Sequence, residues 1–432
     1  MAGENLDTEG AAMGKTALVL SGGGFKGAYE AGVIKALAEA GVVPDVVVGI
    51  SAGSLNGAYV CNLVASGEFT PQRIDESIIH LWINRATLED MFYTAEGEFA
   101  PGSLGASSTQ QIFHRIGIDP FKKLSWIKIG LDSLLAAREL IGGRFTSIFS
   151  HGFLKDILES QLLPPERVVK PMTFSVAVTN LMGTTNFEDT SIEARHCHYE
   201  TFHWNTAMEP EHWSQQFAWM RSMIMASCSV PLVYPPTKMQ LNGQEKPGLF
   251  LDGGMTENAP IDQALHLDPE VDTVYVVLAA TVVGEPSREP STFVQLAARV
   301  FSIIAGRYLI QNYHDVLRMN ERILAMREVL DRDAEGAIAR TDRNEKFCRA
   351  AGFRSLDDFL SKRYIRLIPI VPAKSLPGGI FSAIYYPELK LRYIEQGYRD
   401  GMEAIAASRL PVLGEVVFNR EEPGGSVSSA MV

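Results

Sequence analysis

The chain has 432 residues, of which 46% are hydrophobic and 21% charged, and its formal net charge is −12. That apolar content suits a folded globular protein and excludes a disordered one. The length exceeds a usual single domain but fits one large α/β domain with insertions. The acidic balance argues against a nucleic-acid binder, which needs a basic face to neutralise phosphates. It leaves any contact with a membrane surface to a local apolar patch or basic cluster.

Four cysteines, Cys61, Cys197, Cys228 and Cys348, form no CxxC pair. Neither a disulfide framework nor a cysteine-rich zinc site is indicated, and a reducing compartment is the simpler reading. Residues 1–14 lack the basic start and apolar stretch of a secretory signal. The longest apolar run, Val274 to Val283, is too short to cross a bilayer and reads as a buried strand. The expectation is a cytoplasmic protein that at most touches membranes peripherally.

In chain order, the apolar run Thr16 to Leu20 leads into glycines, and Ala28 to Ala40 then carries apolar residues at helical spacing. A second apolar run, Val46 to Ile50, ends at Ser51, and a helix is predicted over Leu55 to Ala65. The segment Thr94 to Ser108 reads as a mobile loop, and Trp126 to Ile141 as a packed helix or a covering flap. Further strands are predicted at Thr173 to Val178, Leu249 to Leu251, Thr273 to Ala279 and Ile365 to Val371. A long helical pattern, Thr292 to Leu330, is interrupted at Gly306. Strands alternating with helices predict an α/β fold with a mostly parallel central sheet covered by helices on both faces. The expected organisation is a flexible segment 1–14, one domain over 15–418 with a mainly helical extension at 290–415, and a flexible tail 419–432.

Three motifs carry chemistry. GISAG, from Gly49 to Gly53, matches a nucleophile elbow, in which flanking glycines relieve a sharp strand-to-helix turn and expose Ser51. A serine that merely caps a helix would look the same in sequence. GGGFKG, from Gly22 to Gly27, lets backbone amides converge as an oxyanion hole requires. Gly22, Gly24 and Gly27 also satisfy GxGxxG, but a dinucleotide site needs a carboxylate after the next strand, where this chain has Ser51. LDGG places Asp252 after a short apolar strand and before Gly253 and Gly254. Alone it is an ordinary turn.

In this order the three motifs resemble the patatin-like phospholipases, and the segment Ala226 to Pro236 and the turn Asn258 to Pro260 resemble the same family. The resemblance covers Thr16 to Ala280. It implies a patatin-like three-layer sandwich with helical additions, Ser51 as nucleophile, Asp252 as its base, and an oxyanion hole at Gly22, Gly23 and Gly24. Gly27, Gly49, Gly53, Gly253 and Gly254 support the motifs. By its position alone Lys26 reads as a solvated lysine, with a headgroup contact beside the glycine loop as the alternative. No cofactor or metal is implied. The substrate class is a phospholipid, lysophospholipid or other lipid ester.

A Ser–Asp–His triad remains open, with His266 or His314 as the third member. His196, Cys197, His198 and nearby His203 form a weak metal pattern, lacking a second ligand cluster at a usual spacing. An acyltransferase with the same serine chemistry, or a lipid-binding protein without turnover, are the other functional readings.

Overall fold

The computed structural model describes residues 14–86, 151–164, 167–182, 199–205, 213–231, 233–240, 247–257, 259–279, 303, 311–326, 348–355, 359, 361–379 and 382–409. Its strands are β1 (Lys15–Leu20), β2 (Val46–Gly49), β3 (Thr173–Asn180), β4 (Tyr199–Asn205), β5 (Thr237–Met239), β6 (Gly248–Asp252), β7 (Val271–Val277) and β8 (Arg366–Ile370). The principal helices are α1 (Gly27–Glu39), α2 (Ala52–Ser66), α3 (Gly152–Ser160), α4 (Trp213–Ser227), α5 (Ile261–Leu267), α6 (311–326) and α7 (Glu388–Ser408). The predicted segments Thr94 to Ser108 and Trp126 to Ile141 lie outside the described residues, as do His196, Cys197 and His198.

Five strands, in the order β3-β2-β1-β7-β8, pair in parallel. They are almost continuously apolar because both faces are covered. Along β1, Leu18 and Leu20 face a core shared with α1, α2, α4 and α7. Ala17 and Val19 face a second core, with Ile261 and Ala264 of α5 and Tyr313 and Val316 of α6. The result is the expected helix–sheet–helix layering.

β4 and β5 were not foreseen. β4 interleaves Glu200, His203 and Asn205 with aromatic residues, and β5 has only three residues, so neither forms an apolar run. Both join the antiparallel side of the sheet: β4 pairs with β3, β6 with β3, and β5 with β6. The helix predicted from Leu55 begins earlier, at Ala52, directly behind the serine.

The register of β3 is decisive for the site. β4 runs along Thr173 to Thr179 and occupies one edge. β2 pairs with Thr173 to Val176 and β6 with Val178 to Asn180, so both must use the opposite edge. β2 runs parallel to β3 and β6 antiparallel, so their carboxyl ends point at each other. Gly49 stands opposite Val176 and Asp252 opposite Val178. Ser51 and Asp252 follow from this meeting of two strand ends.

α1 is buried nearly all round, because it shares one apolar core with α2 and with Leu18 and Leu20 of β1 and is covered by α7. The two helices touch through glycines: a Cβ on Gly397 would stand 2.0 Å from the Tyr29 carbonyl oxygen, and one on Gly32 2.0 Å from that of Ile394. Neither partner is a side chain that can swing aside. Gly397→Ala should therefore force the helices apart and destabilise the fold by about 1–3 kcal/mol, read as a lower urea midpoint. An unchanged midpoint would contradict this packing.

Candidate active site

Ser51 has φ 52° and ψ −125°, the positive φ expected of glycine, and no other non-glycine among the described residues shares it. Such a conformation costs about 1–3 kcal/mol. Hydrogen bonds offset it. The Ser51 carbonyl accepts from Ser54 N (2.9 Å), Ser54 Oγ (2.6 Å) and Cys228 Sγ (3.1 Å), and the Ser51 amide donates to Ser227 Oγ (3.0 Å). At a net 0.5–1.5 kcal/mol each for ordinary bonds, roughly three suffice.

The flanking glycines are required by close approach. A Cβ on Gly49 would lie 2.4 Å from the Gly53 carbonyl oxygen, and one on Gly53 2.4 Å from that of Leu20. The elbow thus seats α2 against β1, placing its N-terminus behind Ser51, where the helix dipole favours negative charge.

β1 lies beside β2, with Leu20 opposite Gly49, so the glycine loop begins next to the elbow. Gly24 adopts φ 56°, Gly23 packs against the Ala279 methyl, and Gly27 lies against Ala52 and Trp82. Among the described residues, the Gly23 and Gly24 amides find no protein acceptor. Asn56 braces the loop from beneath, donating to the Gly27 carbonyl (3.0 Å) and to Glu30 Oε2 (2.9 Å) while accepting from Trp82 Nε1 (2.8 Å). Burial raises the Glu30 pKa well above the usual carboxylate range. Lys26 is half-buried, and burial lowers its pKa.

Asp252 is fully enclosed. Its Oδ1 accepts from Gly254 N at 2.8 Å, and its backbone carbonyl accepts from Thr179 Oγ1 at 2.8 Å. A Cβ on Gly253 would strike the Ala177 carbonyl oxygen at 2.3 Å, so β6 can end against β3 only with glycine there. Burial pushes the Asp252 pKa up to about 7, against the opposing influence of the Ser51 hydroxyl and the Gly254 amide. Oδ2 has no partner within hydrogen-bonding geometry, although the Ser51 hydroxyl favours the ionised carboxyl. Loose contacts of this kind are common before substrate binds.

Sequence reasoning passed over the residues that join these parts. Ser227 Oγ accepts from the Ser51 amide and donates to the Ala177 carbonyl (2.8 Å); Cys228 Sγ donates to the Ser51 carbonyl; the Ser229 carbonyl accepts from the Asp252 amide (3.0 Å). Three consecutive residues at the end of α4 therefore clip the serine to the aspartate. Only the resemblance of Ala226 to Pro236 pointed to this stretch.

His266 and His314 are both exposed, and neither bonds Asp252 or Ser51. His203 shares a hydrogen bond with Ser175 Oγ at 2.9 Å, and no cluster of metal-ligating side chains occurs among the described residues. No helix among them is long and apolar enough to cross a membrane.

The sequence model of a family described as patatin-like phospholipase matches residues 18–265. A protein of Phaeosphaeria nodorum, named as containing a patatin-like phospholipase domain, is 48% identical over 52 residues. That match spans 12% of this chain and 6% of its relative. Among solved structures, VipD from Legionella pneumophila aligns at 16% identity and a TM-score of 0.35, covering 92% of this chain and 68% of that one. ExoU from Pseudomonas aeruginosa, solved in complex with SpcU, aligns at 14% identity and a TM-score of 0.22, covering 80% and 70%. With more than half its length matched by the family's sequence model, the chain belongs to the patatin-like phospholipase family.

Proposed function

We propose that the protein is a lipid acyl hydrolase that cleaves carboxylic esters of phospholipids or lysophospholipids through an acyl-enzyme on Ser51. The observation that carries this reading is the enclosed Asp252 carboxyl, with a free Oδ2, set beside a serine on a strained elbow. Asp252 takes the Ser51 proton as Oγ attacks the ester carbonyl, and the Gly23 and Gly24 amides and the α2 N-terminus receive the developing oxyanion. Protonated Asp252 then delivers its proton to the departing alcohol. In the second half-reaction it deprotonates the water that attacks the acyl carbonyl, and it returns that proton to Ser51 Oγ as the Oγ–acyl bond breaks and the fatty acid leaves. Water as the final acceptor makes the enzyme a hydrolase; an alcohol in its place would make it an acyltransferase.

The base must be ionised to act, so kcat/KM for a short-chain ester should rise with pH and level off above about 7. Ser51→Ala and Asp252→Asn should each lower kcat about a thousandfold or more. Retained turnover in either variant, or no fatty acid released from any phospholipid, lysophospholipid or short-chain ester, would sink the reading.

The same ionisation weakens the fold. An unfolded aspartate ionises near 3.8 and the folded Asp252 near 7, so the folded state holds the extra proton between those values. Stability is lost as pH rises through that window and stays reduced above it, by on the order of 4 kcal/mol at most. Asp252→Asn lacks this ionisation, so its stability relative to the parent should climb by several kcal/mol between about pH 4 and pH 8 in urea unfolding. A difference that does not change with pH would contradict the shifted carboxyl.

Lys26 supports a phospholipid over a neutral ester. It sits beside the glycine loop, and no charge among the described residues offsets its burial. An anionic headgroup would supply that partner. Lys26→Ala should raise KM for phospholipid roughly tenfold, the worth of one charge-assisted hydrogen bond, while leaving a neutral short-chain ester unaffected. Equal losses on both substrates would remove Lys26 from headgroup recognition.

A further inference from the structure

One histidine reaches the base indirectly. His151 stands at the entrance to α3, where its Nε2 lies 2.9 Å from Ser229 Oγ and its ring stacks on Tyr234, with centroids 5.7 Å apart and planes within 10°. Ser229 is fully buried and occupies a junction. Its hydroxyl donates to the Met225 carbonyl (2.7 Å) and meets Thr237 Oγ1 (2.9 Å) on β5, while its carbonyl receives the Asp252 amide. A serine hydroxyl has one proton. With that proton on Met225, the oxygen is left to accept from His151, which sets the neutral ring as its Nε2–H tautomer.

We propose that His151 is a positioning residue for Asp252: by holding Ser229 it fixes the backbone of the base and keeps the carboxyl enclosed against Ser51. This rests on the reading of Asp252 as the base. The connection runs from the His151 ring to the Ser229 hydroxyl, and from the Ser229 carbonyl to the amide of Asp252 itself. Thr237 ties the same hydroxyl to β5, whose register with β6 runs from Thr237 opposite Phe250 to Met239 opposite Gly248. Release of Ser229 would thus loosen β6 at its carboxyl end, where Oδ2 has no bond of its own to hold it.

His151 is not a relay in this arrangement. Its bond is to Ser229 and not to the Asp252 carboxyl, and burial pushes its pKa down to about 4, so it stays neutral where Asp252 titrates. The other titratable groups packed around the pair among the described residues are the Cys228 thiol, pushed up to about 12, and the Tyr234 phenol, also raised by burial. Both remain uncharged through that range. An acid limb near 7 therefore belongs to Asp252, and its position reports how well the carboxyl is enclosed.

The test is the full pH profile of a short-chain ester with His151→Phe, which keeps a ring for Tyr234 but loses the bond to Ser229. We expect kcat to fall roughly ten- to hundredfold, the usual effect of a displaced catalytic group, with KM nearly unchanged. The acid limb should move below 7, towards an ordinary aspartate, as water reaches the carboxyl. His151→Gln, whose amide can donate to Ser229, should recover most of both. Ser229→Ala removes the same bond from its other end and should reproduce the shift, which keeps the idea testable if His151→Phe does not fold. An acid limb and kcat like those of the parent in either folded variant would overturn the inference. Absence of Ser51-dependent activity in the parent would instead overturn the hydrolase reading.

Discussion

The site depends on one edge of β3. Two strands share that edge end to end, one parallel and one antiparallel, so two carboxyl ends converge within the space of a residue pair. Asp252 lies within the ladder itself and Ser51 follows two residues after the end of its strand, so main-chain pairing brings residues 51 and 252 together with only a short turn between. Ala177, between the β2-paired and β6-paired parts of β3, is also the contact point for both motifs. Its carbonyl takes the Ser227 hydroxyl that holds the Ser51 amide, and its oxygen requires glycine at Gly253.

Strain and burial at this junction act in the same direction. The elbow forces Ser51 into an unfavourable backbone conformation, and the strand end forces Asp252 out of water. Both are destabilising locally, and both suit the proposed roles: Ser51 sits at a sharp turn, although buried and not exposed as the elbow motif suggested, and a carboxylate held out of water is a stronger base. The N-terminus of α2 and the free amides of the glycine loop supply positive potential from the backbone, which suits the developing oxyanion of the proposed ester cleavage. The surrounding layers cover the sheet, with α7 packed through glycines onto α1 and lying against β8.

Much of this was legible in the sequence, and the reasons differ by element. β1, β2, β7 and β8 are apolar runs because both of their faces are covered, so their pattern survives in one dimension. β4 and β5 lie on the antiparallel side, where polar residues such as His203 and Lys238 interrupt the run, and they were missed. The turns that carry Ser51 and Asp252 were legible because glycine spacing is a local backbone requirement, written into adjacent positions. Ser227, Cys228, Ser229 and His151 were not, because their contacts lie far away in sequence: Ser227 meets a residue 176 positions distant, and His151 one 78 positions distant. A serine or histidine in such a role has no local signature.

The central claim is that Ser51 is activated by the enclosed carboxyl of Asp252, and the reaction of a fluorophosphonate probe with the intact protein tests it most directly. Peptide mapping should place the adduct on Ser51, and the labelling rate should follow a single ionisation near 7 that disappears in Asp252→Asn. An adduct on another residue, or a labelling rate whose pH dependence survives loss of Asp252, would contradict the account.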